Sequence, residues 1–135
     1  MANALYTKYK ESMLSQNPSV DLDTDTIKVA LVSSGYTANT STDQYWSSAS
    51  ASLVGTAGTL ASKTITNGIF DAADQTFSAV SGSQVTQIII FKDTGSAATS
   101  PLIARIDTAT GLPVTPNGGD ITVTWDNGAN KIFAL

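Results

Sequence analysis

The segment Val85-Thr86-Gln87-Ile88-Ile89-Ile90-Phe91-Lys92 limits the folds open to this chain more than any other. Its core of four large apolar residues, three of them β-branched, suits a short strand buried on both faces. Ser81-Gly82-Ser83 before it and Asp93-Thr94-Gly95 after it close the segment too soon for a helix. A second run, Thr26 to Val32, alternates at first and then turns continuously apolar, as a central strand does. Two such strands need neighbours on each edge and cover on each face, so the chain must supply a β-rich domain around them.

The remaining segments fit that requirement. Leu53 to Thr56, Thr59 to Thr66, Gln75 to Val80 and Leu102 to Asp107 read as further strands. Asn67-Gly68 is a hairpin dipeptide that favours positive φ, joining Lys63–Thr66 to Ile69–Asp71. Asp120 to Asp126 alternates strictly, with Ile121, Val123 and Trp125 on the inward side, and Lys131 to Leu135 follows the Asn127-Gly128 turn. Asn117-Gly118-Gly119 reads as a hairpin corner, because a strand follows it where a phosphate-binding loop needs a helix. Thr42 is expected to cap one helical turn at Asp43–Trp46. The one expected helix lies at the start, where Leu5, Tyr9 and Met13 form an i, i+4, i+8 stripe with Leu14 beside it and Asn17-Pro18 as its stop. The expectation is a single mainly β domain over 1–135: an antiparallel β-sandwich, jelly-roll or immunoglobulin-like, over 26–135, with an N-terminal helix or arm over 1–17.

Composition narrows the chemistry. Histidine and cysteine are both absent, which removes imidazole-activated serine, thiol nucleophiles, thiolate metal sites and disulfides. Asp71 and Asp74 are the only carboxylate pair worth nominating for acid–base work, and they read more simply as turn carboxylates bonded to local amides. Asp21, Asp23 and Asp25 have the spacing that opens a calcium loop, but Thr26 and Val32 stand where such a loop needs glycine and glutamate. They read instead as caps on backbone amides at the entry to a strand. No enzyme activity, cofactor or metal is expected. Lys and Arg total seven, are not clustered, and leave a net charge of −4, which argues against nucleic acid and anionic membrane surfaces as partners. No apolar run approaches the ~20 residues that span a bilayer, and the N-terminus lacks the apolar core of a secretory signal.

What is left is a surface built to be covered. Charged residues make up 13% of the chain, about half the usual share. Ser and Thr together supply about a quarter. The longest uncharged stretch runs from Gln44 to Ser62. Lys and Glu are scarce in interface cores because they are costly to desolvate and to immobilise. Tyr45 and Trp46 open this tract, and with Leu5 and Tyr9 of the N-terminal segment they are the candidate partner contacts. For Tyr45 and Trp46 the plainer alternative is a loop that tucks its own aromatics into the end of the sandwich. Trp125, alternating with Ile121 and Val123, reads as core.

The stretches Phe70 to Gly82, Ile90 to Gly95 and Leu112 to Ile121 resemble a recurrent small virion protein of tailed bacteriophages. The entry strand Asp21 to Val32, the opening helix and the Asn127-Gly128 to Leu135 ending also fit it. The resemblance is closest to capsid decoration, or cement, proteins, and its motifs are turns and strands without reactive groups. It implies a β-sandwich on the capsid surface of a virion, made in the host cytoplasm, whose partners are the major capsid protein and further copies of itself. A carbohydrate- or receptor-binding module, or a tail or baseplate component, is the alternative.

Overall fold

The computed structural model describes residues 3–135. In chain order the elements are β1 (Ala4–Leu5), α1 (Thr7–Ser15), β2 (Ile27–Ser33), β3 (Leu53–Thr59), β4 (Thr64–Thr66), β5 (Ile69–Asp71), β6 (Gln75–Phe77), β7 (Val85–Lys92), β8 (Leu102–Ile106), β9 (Ile121–Val123) and β10 (Phe133–Ala134). The chain is mainly β, with one α-helix and antiparallel pairing throughout, in a sandwich-like arrangement that does not close into a barrel. A five-stranded sheet has the order β1-β8-β7-β2-β3, beside a three-stranded sheet β10-β5-β4 and the pair β6-β9.

The two runs that most constrain the sequence lie side by side at the centre. β2 and β7 pair in register from Ile27↔Lys92 to Val32↔Gln87, and each buries side chains from both faces. Paired residues share a face. Val29, Leu31, Ile88 and Ile90 therefore point one way, towards the small sheets. There Leu31 and Ile88 share a cleft of about 520 Å³ with Ile121 and Val123 of β9. Ala30, Val32, Gln87, Ile89 and Phe91 point the other way, under the long connection between β2 and β3, whose Tyr36, Ala38, Trp46 and Ala49 are buried. One apolar cluster includes residues from both sides of the main sheet.

Several local expectations hold. Asn67 and Gly68 have φ of 54° and 75°, and Thr66 faces Ile69, which makes the type I′ hairpin that brings β4 back on β5. Gly55, at φ 72°, lies in the bulge where β3 slips against β2 between Val54 and Gly58. Trp125 is buried and donates its indole N–H to the carbonyl of Ala73.

Others need correction. Leu5 is not helical: Ala4 and Leu5 pair with Arg105 and Ala104 as the outermost strand, so α1 starts at Thr7. Tertiary pairing overrides a favourable helical period at this position. The helix buries Tyr9 and Ser12, and Leu14 is 90% exposed rather than part of the stripe. Tyr6, which the helical reading passed over, is fully buried. The turn expected at Asp43–Trp46 is displaced to a 3₁₀ turn at Trp46–Ser48 without a side-chain cap, because the segment leading into it bonds to Ser100 and Leu102 and Tyr45 is held extended against Pro101. Asn117–Gly119 is a turn but not a hairpin corner. Val114 bridges to Val85, Gly118 and Gly119 bond to Val80, and β9 then pairs with β6, more than forty residues back in sequence.

The N-terminal segment lies on its own domain. Tyr9 meets Phe133 edge-on with ring centres 6.4 Å apart, and Phe133 packs on Phe70. Asn3 clamps the end of β8, accepting from the amides of Asp107 and Thr108 and donating to the Thr108 carbonyl.

Candidate functional site

The four candidate contact residues fall into two groups. Tyr9 and Trp46 lie in the interior, whereas Leu5 and Tyr45 are half-buried alongside β8 at one edge of the main sheet. Trp46 lies flat on Phe91, ring centres 4.3 Å apart and planes 4° from parallel. Its backbone N–H donates to the Ser100 carbonyl at 2.7 Å. The loop has tucked its aromatic inward. Beside Trp46 a cleft of about 300 Å³ runs past Leu53 and Ala57 to the Lys28–Asp93 pair, whose charged atoms are 3.0 Å apart. Asp93 is held below the usual carboxylate range, first by the Gly95 amide and then by Lys28.

Under the same loop lies a buried polar network that sequence reasoning missed. Gln87 is 1% exposed. Its amide donates to the carbonyls of Ser33 and Tyr36 at 3.0 and 2.9 Å, and its oxygen accepts from Arg105 Nε at 2.6 Å. Arg105 in turn pairs with Asp107 at 2.8 Å. Burial raises the Asp107 pKa, but the hydrogen bond and charge of Arg105 outweigh it and hold the carboxyl below its ordinary value. Alongside runs a phenol chain. The Asp43 carboxylate can only accept, so Tyr36 donates to it at 2.7 Å, which leaves Tyr6 to donate to the Tyr36 oxygen at 2.9 Å. The one sequence signal for this network was a polar Gln inside an apolar strand.

Replacing Gln87 with leucine keeps the volume but strips two carbonyls and one guanidinium N–H of their partners. We expect a loss of about 3 kcal/mol and a fall in Tm on the order of 10 °C, readable in a thermal melt. A loss under about 1 kcal/mol would mean that water replaces the amide at little cost.

Of the carboxylates singled out in the sequence, Asp21, Asp25 and Asp74 accept from backbone amides. Asp21 accepts from the amides of Asp23 and Thr24, and Asp25 accepts from the Asp21 amide while pairing with Lys92 at 3.0 Å. The reading of Asp71 and Asp74 as carboxylates bonded to local amides needs correction: Asp74 accepts at 3.0 Å from the amide of Trp125, distant in sequence, and Asp71 sits in β5. Among the described residues no group of His, Cys, Asp or Glu is arranged to hold a metal ion, and no helix is long and apolar enough to cross a membrane.

The most extended feature is a stretch of chain rather than a cleft. From Ala51 to Gln84, spanning β3 to β6, the exposed residues are small or uncharged, apart from Asp74. Lys63, the one lysine there, is half-buried and turns its ammonium to the backbone carbonyl of Asp25. Ile65 lies in this stretch, 48% exposed.

No protein-family model matches the chain, and no curated protein matches it.

Proposed function

We propose that this chain is a non-enzymatic virion structural protein, a capsid decoration protein that binds the outer surface of an assembled shell and bridges neighbouring capsid subunits. The observation that carries the proposal is the weakly charged stretch from Ala51 to Gln84, whose exposed residues are uncharged apart from Asp74, on a body whose Lys28, Lys92 and Arg105 are bonded within the chain. Surface of this kind meets a partner with little stripping of water from charged groups. The resemblance to phage cement proteins points the same way, and the small polar side chains allow close backbone approach.

The action would be mechanical. A ligand that binds the assembled shell and not its loose subunits stabilises the shell by mass action, and copies repeated by shell symmetry reinforce one another. The test is to add purified chain to shells and to unassembled capsid protein from the phage that encodes it. Co-sedimentation with shells alone, together with a higher shell melting temperature, is expected. Absence from the shell, or cryo-EM density for the chain only on the tail, would overturn the proposal.

The cleft beside Trp46 favours a second reading, in which the Lys28–Asp93 pair offers a donor and an acceptor to a sugar hydroxyl next to an apolar wall. A glycan array with hits that Lys28→Ala abolishes would establish it in place of the first.

A further inference from the structure

We infer that the outer edge of β4 is a seam at which two copies of this chain join their sheets across a two-fold axis centred on Ile65. The inference builds on the reading of the chain as a covering protein that clusters in copies, and it names the surface.

The hydrogen-bond phase of the hairpin is the first observation. Around the two-residue turn, Thr66 and Ile69 form the pair that exchanges both backbone bonds, so the next pair, Ile65 and Phe70, turns its N–H and C=O groups away from each other. The structure records the consequence on one side: the Phe70 carbonyl accepts from the Ile132 amide, towards β10. On the other side β4 is the outermost strand, and the N–H and C=O of Ile65 face outward.

The second observation is self-complementarity. An antiparallel copy centred on Ile65 places Ile65 opposite its own mate and Thr64 opposite Thr66. Each Ile65 then exchanges both backbone bonds with the other, which meets the requirement that a two-fold interface match itself. Threonines already meet this way across β6 and β9, where the hydroxyls of Thr76 and Thr122 are 3.1 Å apart. The half-exposed Ile65 side chains would cover one another.

The third is charge. A chain of net charge −4 repels its own copies, and edge strands are usually guarded by lysine, proline or a bulge. The main-sheet edge β3 has its bulge at Gly55. β4 has no such guard: Lys63 is drawn off to the Asp25 carbonyl, and Lys63 would face the neutral Asn67 of the second copy. The seam is short, however, and covers well under the roughly 1,000 Å² that a stable dimer needs. The association is therefore weak in solution and gains strength where copies are held side by side.

Because the chain lacks cysteine, a single introduced thiol gives a clean readout. Ile65→Cys places two sulfurs on paired residues whose Cα atoms lie about 5.5 Å apart, within disulfide range. Under mild oxidation at high protein concentration, Ile65→Cys should form the covalent dimer about tenfold faster than Leu14→Cys or Leu135→Cys, the other two exposed large apolar positions among the described residues. In sedimentation velocity the unmodified chain should show a concentration-dependent rise that Ile65→Lys removes. Ser83→Lys, the same charge at an exposed position away from β4, should leave that rise in place. Equal cross-linking rates at the three positions, or identical sedimentation of Ile65→Lys and the unmodified chain, would overturn the seam. Both measurements use the purified chain alone, so failure to bind shells leaves this result standing, and the reverse also holds.

Discussion

Raising the pH from 10 to 12 should unfold this protein cooperatively. Tyr6 and Tyr9 are both pushed up to about 12, in each case chiefly by burial. Tyr36 is displaced in the same direction, first by burial and then by its hydrogen bonds to Tyr6 and Asp43. The sign follows from linkage. A group whose pKa is higher in the folded state contributes stability that is whole below the unfolded value, near 10, and is lost as pH rises through the folded value. A displacement from 10 to about 12 corresponds to about 3 kcal/mol for Tyr6 and, reduced by solvent screening, about 2 kcal/mol for Tyr9, so these two alone carry about 5 kcal/mol across the window. That is comparable with the whole stability of a small domain. Following tyrosinate absorbance and far-UV circular dichroism together through an alkaline titration checks it. The buried phenols should ionise in the same step that removes the β signal. Smooth ionisation of all the tyrosines near pH 10, with the fold intact, would contradict the assignment of Tyr6 and Tyr9 to the core.

The second large effect concerns Trp46. Trp46→Ala should cost about 4 kcal/mol, because it removes a ring stacked on Phe91 and leaves a hole that the 3₁₀ turn at Trp46–Ser48 cannot fill. Trp46→Phe, which restores an aromatic face to Phe91, should recover more than half of that loss. Urea denaturation gives both values, with the midpoint shifting and the slope unchanged. An aromatic that served mainly as an external contact would behave otherwise, with stability nearly untouched and partner binding lost. The two outcomes separate the contact reading of Trp46 from its place in the core.

The parts of the fold that could be read in advance are those decided by local pattern. Ile88 to Phe91 could only be a strand buried on both faces, and Asn67-Gly68 carries its own turn geometry. The failures share one cause, which is pairing between distant segments. Leu5 kept a helical period with Tyr9 and Met13, but an open strand edge at Ala104–Arg105 captured it. Gln44 and Tyr45 looked like helix in a loop and became extended because Ser100 to Leu102 offered this segment backbone partners, which moved the helical turn on to Trp46. Asn117–Gly119 looked local and answers to Val80. The candidate contact surface was legible only as a shortage of charge between Gln44 and Ser62. That shortage continues to Gln84 on the folded surface because the lysine and aspartates that interrupt it in sequence are bonded to other groups or partly covered. The Gln87–Arg105 network was illegible, since one glutamine in an apolar strand does not say which carbonyls it will meet.

The strand order β1-β8-β7-β2-β3 also sets a timetable for synthesis. As the polypeptide leaves the ribosome, β2 appears early, yet its partner β7 begins only at Val85, and β1 must wait for β8 at Leu102. Until then the apolar entry strand has only β3 to pair with. Long-range pairing of this kind is slow and leaves a nascent chain prone to aggregation. Apart from the short strands β3 to β6, the stretch between the two central strands is rich in Ser and Thr, so few strongly apolar segments are exposed beside β2 while it waits for β7.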